Sequence, residues 1–593
     1  MALTIGDIDA WDTGALEEFS HHLDRRLRIL ADLGDEVSDA ARLPEWAGVG
    51  ADAAQLGFER LSTDVSDRAA TVGAIKELIS SLIEQVRALK GALDEAQDHA
   101  AQFGLTITDD GAVVDGPSVG PAGLAAIALG GPIGTGAGRA AKEATRAEIQ
   151  TRVQVILAIA ADVEADTTSI LTKAADGGFT ADGLSVDDAE ARGRSQADDM
   201  FAAPPPPEDV TAQQYYLDAL SQDQREEIIR ERPEWLANAF GIDPAVRSQA
   251  AEAYIPKLRG EILAERAPLV RELQELRGTA PAGPGGPAVL ASKIREIETK
   301  LEPLDNALAD LEKIHETVSA DSTVHLLGLN RHEGGVGAVV AQGDITAADH
   351  VTVNVPGTGT NARDGLQGQL DTLTELERKM VDQLITEDRE SETIATVTYL
   401  NTELPPTLPE ARHTHYADTA APELAAVLNG LDATSTGGAN LTLLGHSYGS
   451  LVASEALQTG GRADSVVFYG SPGLETSGDD FDADSLGVAP ERRYVMHAAR
   501  EPIQVAHLAD PFGGLPQHDP GLIRLGTSAH GDRGLAASTG HSQYHLPDST
   551  SLHNFAAVAV ASPDAVVAYD PEKFNDDNYR RLLGVNVVPK WPF

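Results

Sequence analysis

A serine flanked at two residues' distance by glycines, Gly445-His446-Ser447-Tyr448-Gly449, stands where an apolar run ends and a helical pattern begins. Leu441, Leu443 and Leu444 read as a buried strand, and the residues from Ser450 to Gln458 read as a helix. Strand, G-x-S-x-G and helix together form a nucleophile elbow, a turn so sharp that side chains in place of the glycines would collide. A serine hydroxyl alone is a weak nucleophile. It attacks an acyl carbon when a histidine takes its proton and an acidic group holds that histidine in place. Ser447 therefore points to acyl transfer, with the histidine and the carboxylate supplied from elsewhere in the chain.

The elements needed to position such a serine begin after residue 320, where the hydrophobic period changes from helical to extended. Residues 323–329, 337–341 and 350–355 read as three strands in quick succession, and Pro356-Gly357-Thr358-Gly359-Thr360 follows the third. A helix over 366–384, a strand over 394–399, a helix over 420–428 and the elbow strand come next. Residues 465–469 and 493–497 are further strands, 522–525 supplies the last, and a closing helix starts near 551. Alternation of this kind implies a mostly parallel central sheet with helices on both faces, an α/β class domain.

Three early strands followed by β-α alternation, with the serine turn in mid-domain, resemble the α/β-hydrolase fold. Gly445-His-Ser-Tyr-Gly-Ser-Leu451, Gly470-Ser-Pro-Gly473, Glu501-Pro502 and His541-Ser-Gln-Tyr544 resemble an actinobacterial α/β-hydrolase family of uncharacterised function. Its helical lead-in is matched by residues 215–247, and the likeness spans about 211–562. The resemblance implies an oxyanion hole made by the backbone N–H of Tyr448 and that of Thr358. It implies a triad acid on the turn after the 493–497 strand, where Glu501 stands in place of the more usual aspartate and Asp510 is the rival. It implies His541 as general base, with His518, His530 and His545 competing from the same loop region. Ser447, acid and His541 then follow in the chain order of α/β-hydrolases. The apolar residues of Phe512-Gly-Gly-Leu515 hint at an apolar acyl pocket.

The first half of the chain is helical and carries no catalytic spacing. Phe19, Leu23, Leu27, Leu30, Leu33 and Val37 stripe a helix over 14–38, and a second long helix runs to about 103. Between them lies Trp46-Ala47-Gly48, and the whole resembles the WxG helical hairpins associated with type VII secretion, over residues 1–115. Tryptophan would plug the open end of the hairpin and glycine would let the chain reverse. The tyrosine-x-x-x-acid signal that such hairpins carry just afterwards does not stand there. Residues 106–114 read as a small hairpin turning at Asp110-Gly111. A Gly/Ala linker, a helix over 140–175 and a spacer over 177–210 ending in Pro204-Pro-Pro-Pro207 follow. Residues 211–320 are helical again, with Ser221 as a helix N-cap and separate helices at 259–277 and 288–320. The expected division is a hairpin (1–115), linkers around one long helix (116–210), a helical lead-in or cap (211–320), the catalytic domain (321–562) and a C-terminal extension (563–593).

Bulk properties narrow the partners. The formal charge of the 593 residues is −47, from 92 acidic against 45 basic side chains, which repels nucleic acid. There is no cysteine, so disulfides, thiolate metal sites and a cysteine nucleophile are excluded. No zinc or nucleotide-binding motif occurs, and neither metal nor cofactor is expected. The N-terminus lacks the basic and apolar regions of a secretory signal peptide, and no charge-free apolar run of membrane-spanning length exists. The expectation is a cofactor-free serine hydrolase of the carboxylic ester type, esterase- or lipase-like, acting on a small-molecule or lipid ester. It would be cytoplasmic, or secreted by a type VII-like route without a cleaved signal. The alternative is a secretion-linked effector or interaction protein whose N-terminal helices dock a protein partner, with the hydrolase domain as cargo or inactive.

Overall fold

The computed structural model describes residues 3–42, 48–116, 136–198, 200, 205–280, 286–475, 481–503 and 512–573. The chain divides into two compact units, Met1–Glu231 and Arg232–Phe593.

The first unit is built on long helices. A short α1 (Ile5–Ala10), closed by a capping box between Thr4 and Asp7, precedes α2 (Thr13–Ala41) and α3 (Val49–Gln102). Trp46 and Ala47 lie outside the described residues. Gly48 does not, and its φ of 106° is open only to glycine at the start of α3. Strands β1 (Leu105–Ile107) and β2 (Val113–Asp115) pair antiparallel around Gly111, and α4 (Gly136–Ala175) follows. The segment read as a spacer over 177–210 contains a further helix, α5 (Val186–Asp198). Its contact with α3 is made by backbone: a methyl on Gly193 would overlap the Ala70 carbonyl, and one on Gly73 would overlap Glu190. Ala69, Ala70, Ala74, Ala189 and Ala197 fill the rest of this interface. Small residues leave no large apolar stripe, so the hydrophobic period does not reveal the helix. The unit ends with α6 (Val210–Tyr216) and α7 (Gln222–Glu231). Ser221 caps α7: Gln224 N–H donates to its Oγ at 3.3 Å, and Gln224 Oε1 accepts from its N–H at 3.1 Å.

The second unit opens with α8 (Pro233–Ala237), α9 (Pro244–Gly278) and α10 (Gly286–Ala320). Helix α9 is one element through Pro256 and Pro268, longer than the 259–277 segment expected. Strands β3 (Val324–His332), β4 (Gly335–Gln342) and β5 (His350–Val355) lead to α11 (Ala362–Thr386), β6 (Ile394–Tyr399) and α12 (His415–Thr434). Then come β7 (Asn440–His446), α13 (Tyr448–Gln458), β8 (Ser465–Tyr469), β9 (Arg493–Met496), β10 (Ile523–Leu525) and α14 (Thr550–Ala559). The sheet order is β10-β9-β8-β7-β5-β6-β4-β3, with β4 antiparallel to both neighbours and the other pairs parallel.

Residues of β5 and β8 are buried throughout, as a parallel strand covered on both faces requires. Period-two alternation sorts the two faces. Leu441, Leu443, Val466 and Phe468 face α12 and α13, whereas Leu444, Val467 and Tyr469 meet Leu373 and Met380 of α11 and Phe555 of α14. The strand order reverses at β5, which has β6 on one side and β7 on the other. Beyond the carboxyl ends of two strands that diverge in this way lies the crevice where α/β sheets hold their ligands.

Candidate active site

Ser447 links β7 to α13 at that crevice with φ 51° and ψ −126°. A non-glycine residue there carries about 1–3 kcal/mol of strain. Its surroundings hold it. Ser447 N–H donates to Tyr469 O at 3.0 Å, and its carbonyl accepts from Ser450 N–H at 3.0 Å and Ser450 Oγ at 2.6 Å. A methyl on Gly445 would stand 2.8 Å from Ser450 Cα, and one on Gly449 would overlap the carbonyls of Val355 and Pro356. The two motif glycines are thus steric necessities of the turn.

A third glycine, after β5, closes over the serine. A methyl on Gly357 would lie 2.6 Å from Ser447 Cβ and 3.1 Å from its Oγ. The chain segment that carries Thr358 therefore begins beside the hydroxyl. Among the described residues the Thr358 N–H has no hydrogen-bond partner. Tyr448 is the first residue of α13, where backbone N–H groups lack an intrahelical acceptor and the helix dipole is positive. The Tyr448 side chain points away from this task, donating to His413 O at 2.5 Å.

Glu501 lies on the loop after β9, fully buried. Its Oε1 is 2.7 Å from His541 Nδ1, and its Oε2 accepts from the Tyr544 hydroxyl at 2.9 Å. The Tyr544 oxygen in turn accepts from Ala498 N–H at 2.9 Å. Burial pushes the Glu501 carboxyl upward, but the hydrogen bond and charge of His541, with the bond from Tyr544, outweigh it and hold the group below the ordinary glutamate range. An ionised carboxylate only accepts, so Nδ1 carries the hydrogen and Nε2 keeps its lone pair.

The His541 loop is tied to the Glu501 loop by Gly540 N–H, which donates to Ala499 O at 2.8 Å, and by a bridge between Ala499 and Thr539. His446 Nε2 reaches the His541 carbonyl at 3.0 Å, with the two rings 4.8 Å apart. Burial lowers the His446 pKa to about 4, so this ring is neutral and donates through Nε2. Gly470, at the end of β8, lies beneath the His541 ring; a methyl there would meet the imidazole at 3.3 Å.

Ser447, His541 and Thr358 line one cavity of about 510 Å³. Of the competing histidines, His545 also lines it, with Nε2 3.1 Å from the Tyr469 hydroxyl, whereas His518 and His530 do not. Asp510 lies outside the described residues. Phe512 does not line this cavity; it is buried with its ring edge-on to Tyr448 at 6.0 Å. The apolar wall expected from Phe512–Leu515 is absent from the described lining, because Phe512 packs into the core. Tyr544 and His446 carry no role in the sequence reading, whereas Gly357 stands in the glycine-rich turn expected to bring the Thr358 backbone to the site. Both stand in quoted motifs, His446 beside Ser447 and Tyr544 three residues after His541. Among the described residues no group of three His, Asp or Glu side chains could hold a metal ion, and no helix is long and apolar enough to cross a membrane.

The family described as Alpha/beta hydrolase matches residues 332–510. An uncharacterised protein of Mycobacterium tuberculosis (strain ATCC 25618 / H37Rv) is 31% identical over 231 residues, 37% of this chain and 82% of that protein. A second uncharacterised protein of the same strain is 28% identical over 378 residues, 59% of this chain and 55% of its own length. Among solved structures, an esterase from Mycobacterium marinum aligns with 14% identity and a TM-score of 0.25, covering 46% of this chain and 90% of the esterase. The sheet order, the serine turn between β7 and α13, and the relative matched over most of its length agree: the chain belongs to the α/β-hydrolase family that it shares with the 31%-identical mycobacterial protein.

Proposed function

We propose that the protein is a serine hydrolase of carboxylic esters, with Ser447 as nucleophile, His541 as general base and Glu501 as the acid of the triad. The observation that carries this reading is that His541, its Nδ1 on the buried Glu501 carboxylate, lines one cavity with a strained serine at a helix N-terminus. Ser447 Oγ attacks the acyl carbon and its proton passes to His541 Nε2, the nitrogen that Glu501 leaves free. The imidazolium is stabilised by the adjacent carboxylate. Negative charge on the former carbonyl oxygen is met by the N–H groups of Tyr448 and Thr358, supported by the α13 dipole. Collapse of the tetrahedral species releases the alcohol, which takes the proton from Nε2. A water then repeats the sequence on the acyl-enzyme, and the acid leaves.

Esters are favoured over amides because an alcohol is the better leaving group and needs only the proton held on His541 Nε2. The test is hydrolysis of p-nitrophenyl acetate. Wild type should turn it over, and Ser447→Ala should lose at least about three orders of magnitude in kcat. Equal rates in the two proteins would overturn the reading.

A further inference from the structure

We infer that the cavity selects short acyl groups bearing a hydrogen-bonding oxygen, not long alkyl chains; this rests on the serine-ester reading above. Its wall is polar beyond the reacting groups. Gln369 and Thr372 stand three residues apart on one face of α11, and both line the cavity. Gln369 Oε1 accepts from Asn354 Nδ2 at 2.9 Å, while its own amide nitrogen has no hydrogen-bond partner among the described residues. That orientation is locked from behind. Asn354 Oδ1 accepts from the Tyr469 hydroxyl at 3.0 Å, and the Tyr469 oxygen lies 3.1 Å from His545 Nε2. Thr372 donates its hydroxyl to Gly368 O at 2.7 Å, which leaves its oxygen as an acceptor. The cavity therefore offers a fixed donor and a fixed acceptor side by side.

Aliphatic side chains are scarce. Among the described lining residues Leu408 has the only aliphatic side chain apart from the Pro406 ring, and Leu408 is 74% exposed, at the mouth. In an apolar pocket each added methylene strengthens binding by about four-fold. Here a longer chain would instead strip water from the Gln369 amide without replacing its hydrogen bond, which is unfavourable. An acyl group of a few carbons with a hydroxyl or keto oxygen would replace that water.

The experiment is kcat/KM for p-nitrophenyl acetate, butyrate, 3-hydroxybutyrate and octanoate. Wild type should prefer butyrate to octanoate by about ten-fold or more, and 3-hydroxybutyrate to butyrate by about ten-fold, one charge-neutral hydrogen bond's worth. Gln369→Leu should erase the hydroxyl preference and raise octanoate relative to butyrate. Thr372→Val, which keeps the shape, should cut the hydroxyl preference several-fold. Octanoate preferred by wild type, or a hydroxyl preference unchanged in both variants, overturns the inference while leaving the esterase reading intact. No hydrolysis of any ester, with no covalent labelling of Ser447 by a fluorophosphonate, overturns both.

Discussion

Glu501 Oε1, fully buried, lies 2.7 Å from Nδ1 of the cavity-lining His541, and this one contact decides which ring nitrogen of His541 keeps its lone pair. Replacing the carboxylate by an amide of the same shape removes the reason for that choice, because an amide can donate to Nδ1 and favour the opposite tautomer. Glu501→Gln should keep its fold, read by circular dichroism, and lose about four orders of magnitude in kcat for an ester substrate.

Tyr544 is the second support of the same carboxylate. Tyr544→Phe leaves Glu501 Oε2 and Ala498 N–H buried without a partner, which should cost about 1–3 kcal/mol in urea unfolding at pH 7. The pH dependence has a definite sign. Glu501 is held below the ordinary glutamate range, so its contribution is present above the unfolded pKa and lost as pH falls through the folded one. The deficit of Tyr544→Phe should therefore be largest near neutrality and shrink as pH falls below the ordinary glutamate range.

The buried histidines His446 and His545 are shifted in the opposite sense to two buried carboxyls. Burial lowers His446 to about 4 and His545 to about 3, whereas burial raises Glu423 and Glu455 to about 7. The histidines are neutral when folded and protonate when unfolded as pH drops below about 6.5, so each makes the fold less stable in acid. The two glutamates make it more stable there, so the whole-protein slope is a difference. A variant isolates one part. His545→Gln retains a donor for Tyr469 and should lose about 2 kcal/mol less than wild type between pH 6.5 and 5, measured by urea unfolding at both.

Gly357 sets the approach of the Thr358 segment to the Ser447 side chain. A methyl there would fall 2.6 Å from Ser447 Cβ, so one of the two must move. Gly357→Ala should lower kcat on p-nitrophenyl acetate by about a hundred-fold or more, a loss of the size expected when oxyanion donors shift. KM should change far less.

The sheet and the serine turn were legible because their signals are local. Strand-length apolar runs, helices at 3.6-residue period and the glycines about Ser447 each act within a few residues. The early strands were read to within a few residues of their observed ends, and β5 and β6 matched throughout. What escaped depends on distant partners. The Asn354–Gln369 bond joins β5 to α11, the Tyr544–Glu501 bond spans 43 residues, and neither leaves a pattern in composition. Helix α5 escaped because its packing against α3 uses glycine and alanine. The Phe512 loop misled for the converse reason: an aromatic residue near the site filled the core and not the cavity.

If Ser447 is a nucleophile activated by His541, it should react with an electrophilic phosphorus centre. Intact-protein mass after incubation with a fluorophosphonate measures this without needing the natural substrate. One adduct should form on wild type and map to the peptide containing Ser447, while Ser447→Ala should gain none and Glu501→Gln should react far more slowly. Wild type that gains no adduct, or Ser447→Ala that gains it at the wild-type rate, would show that Ser447 is not an activated nucleophile.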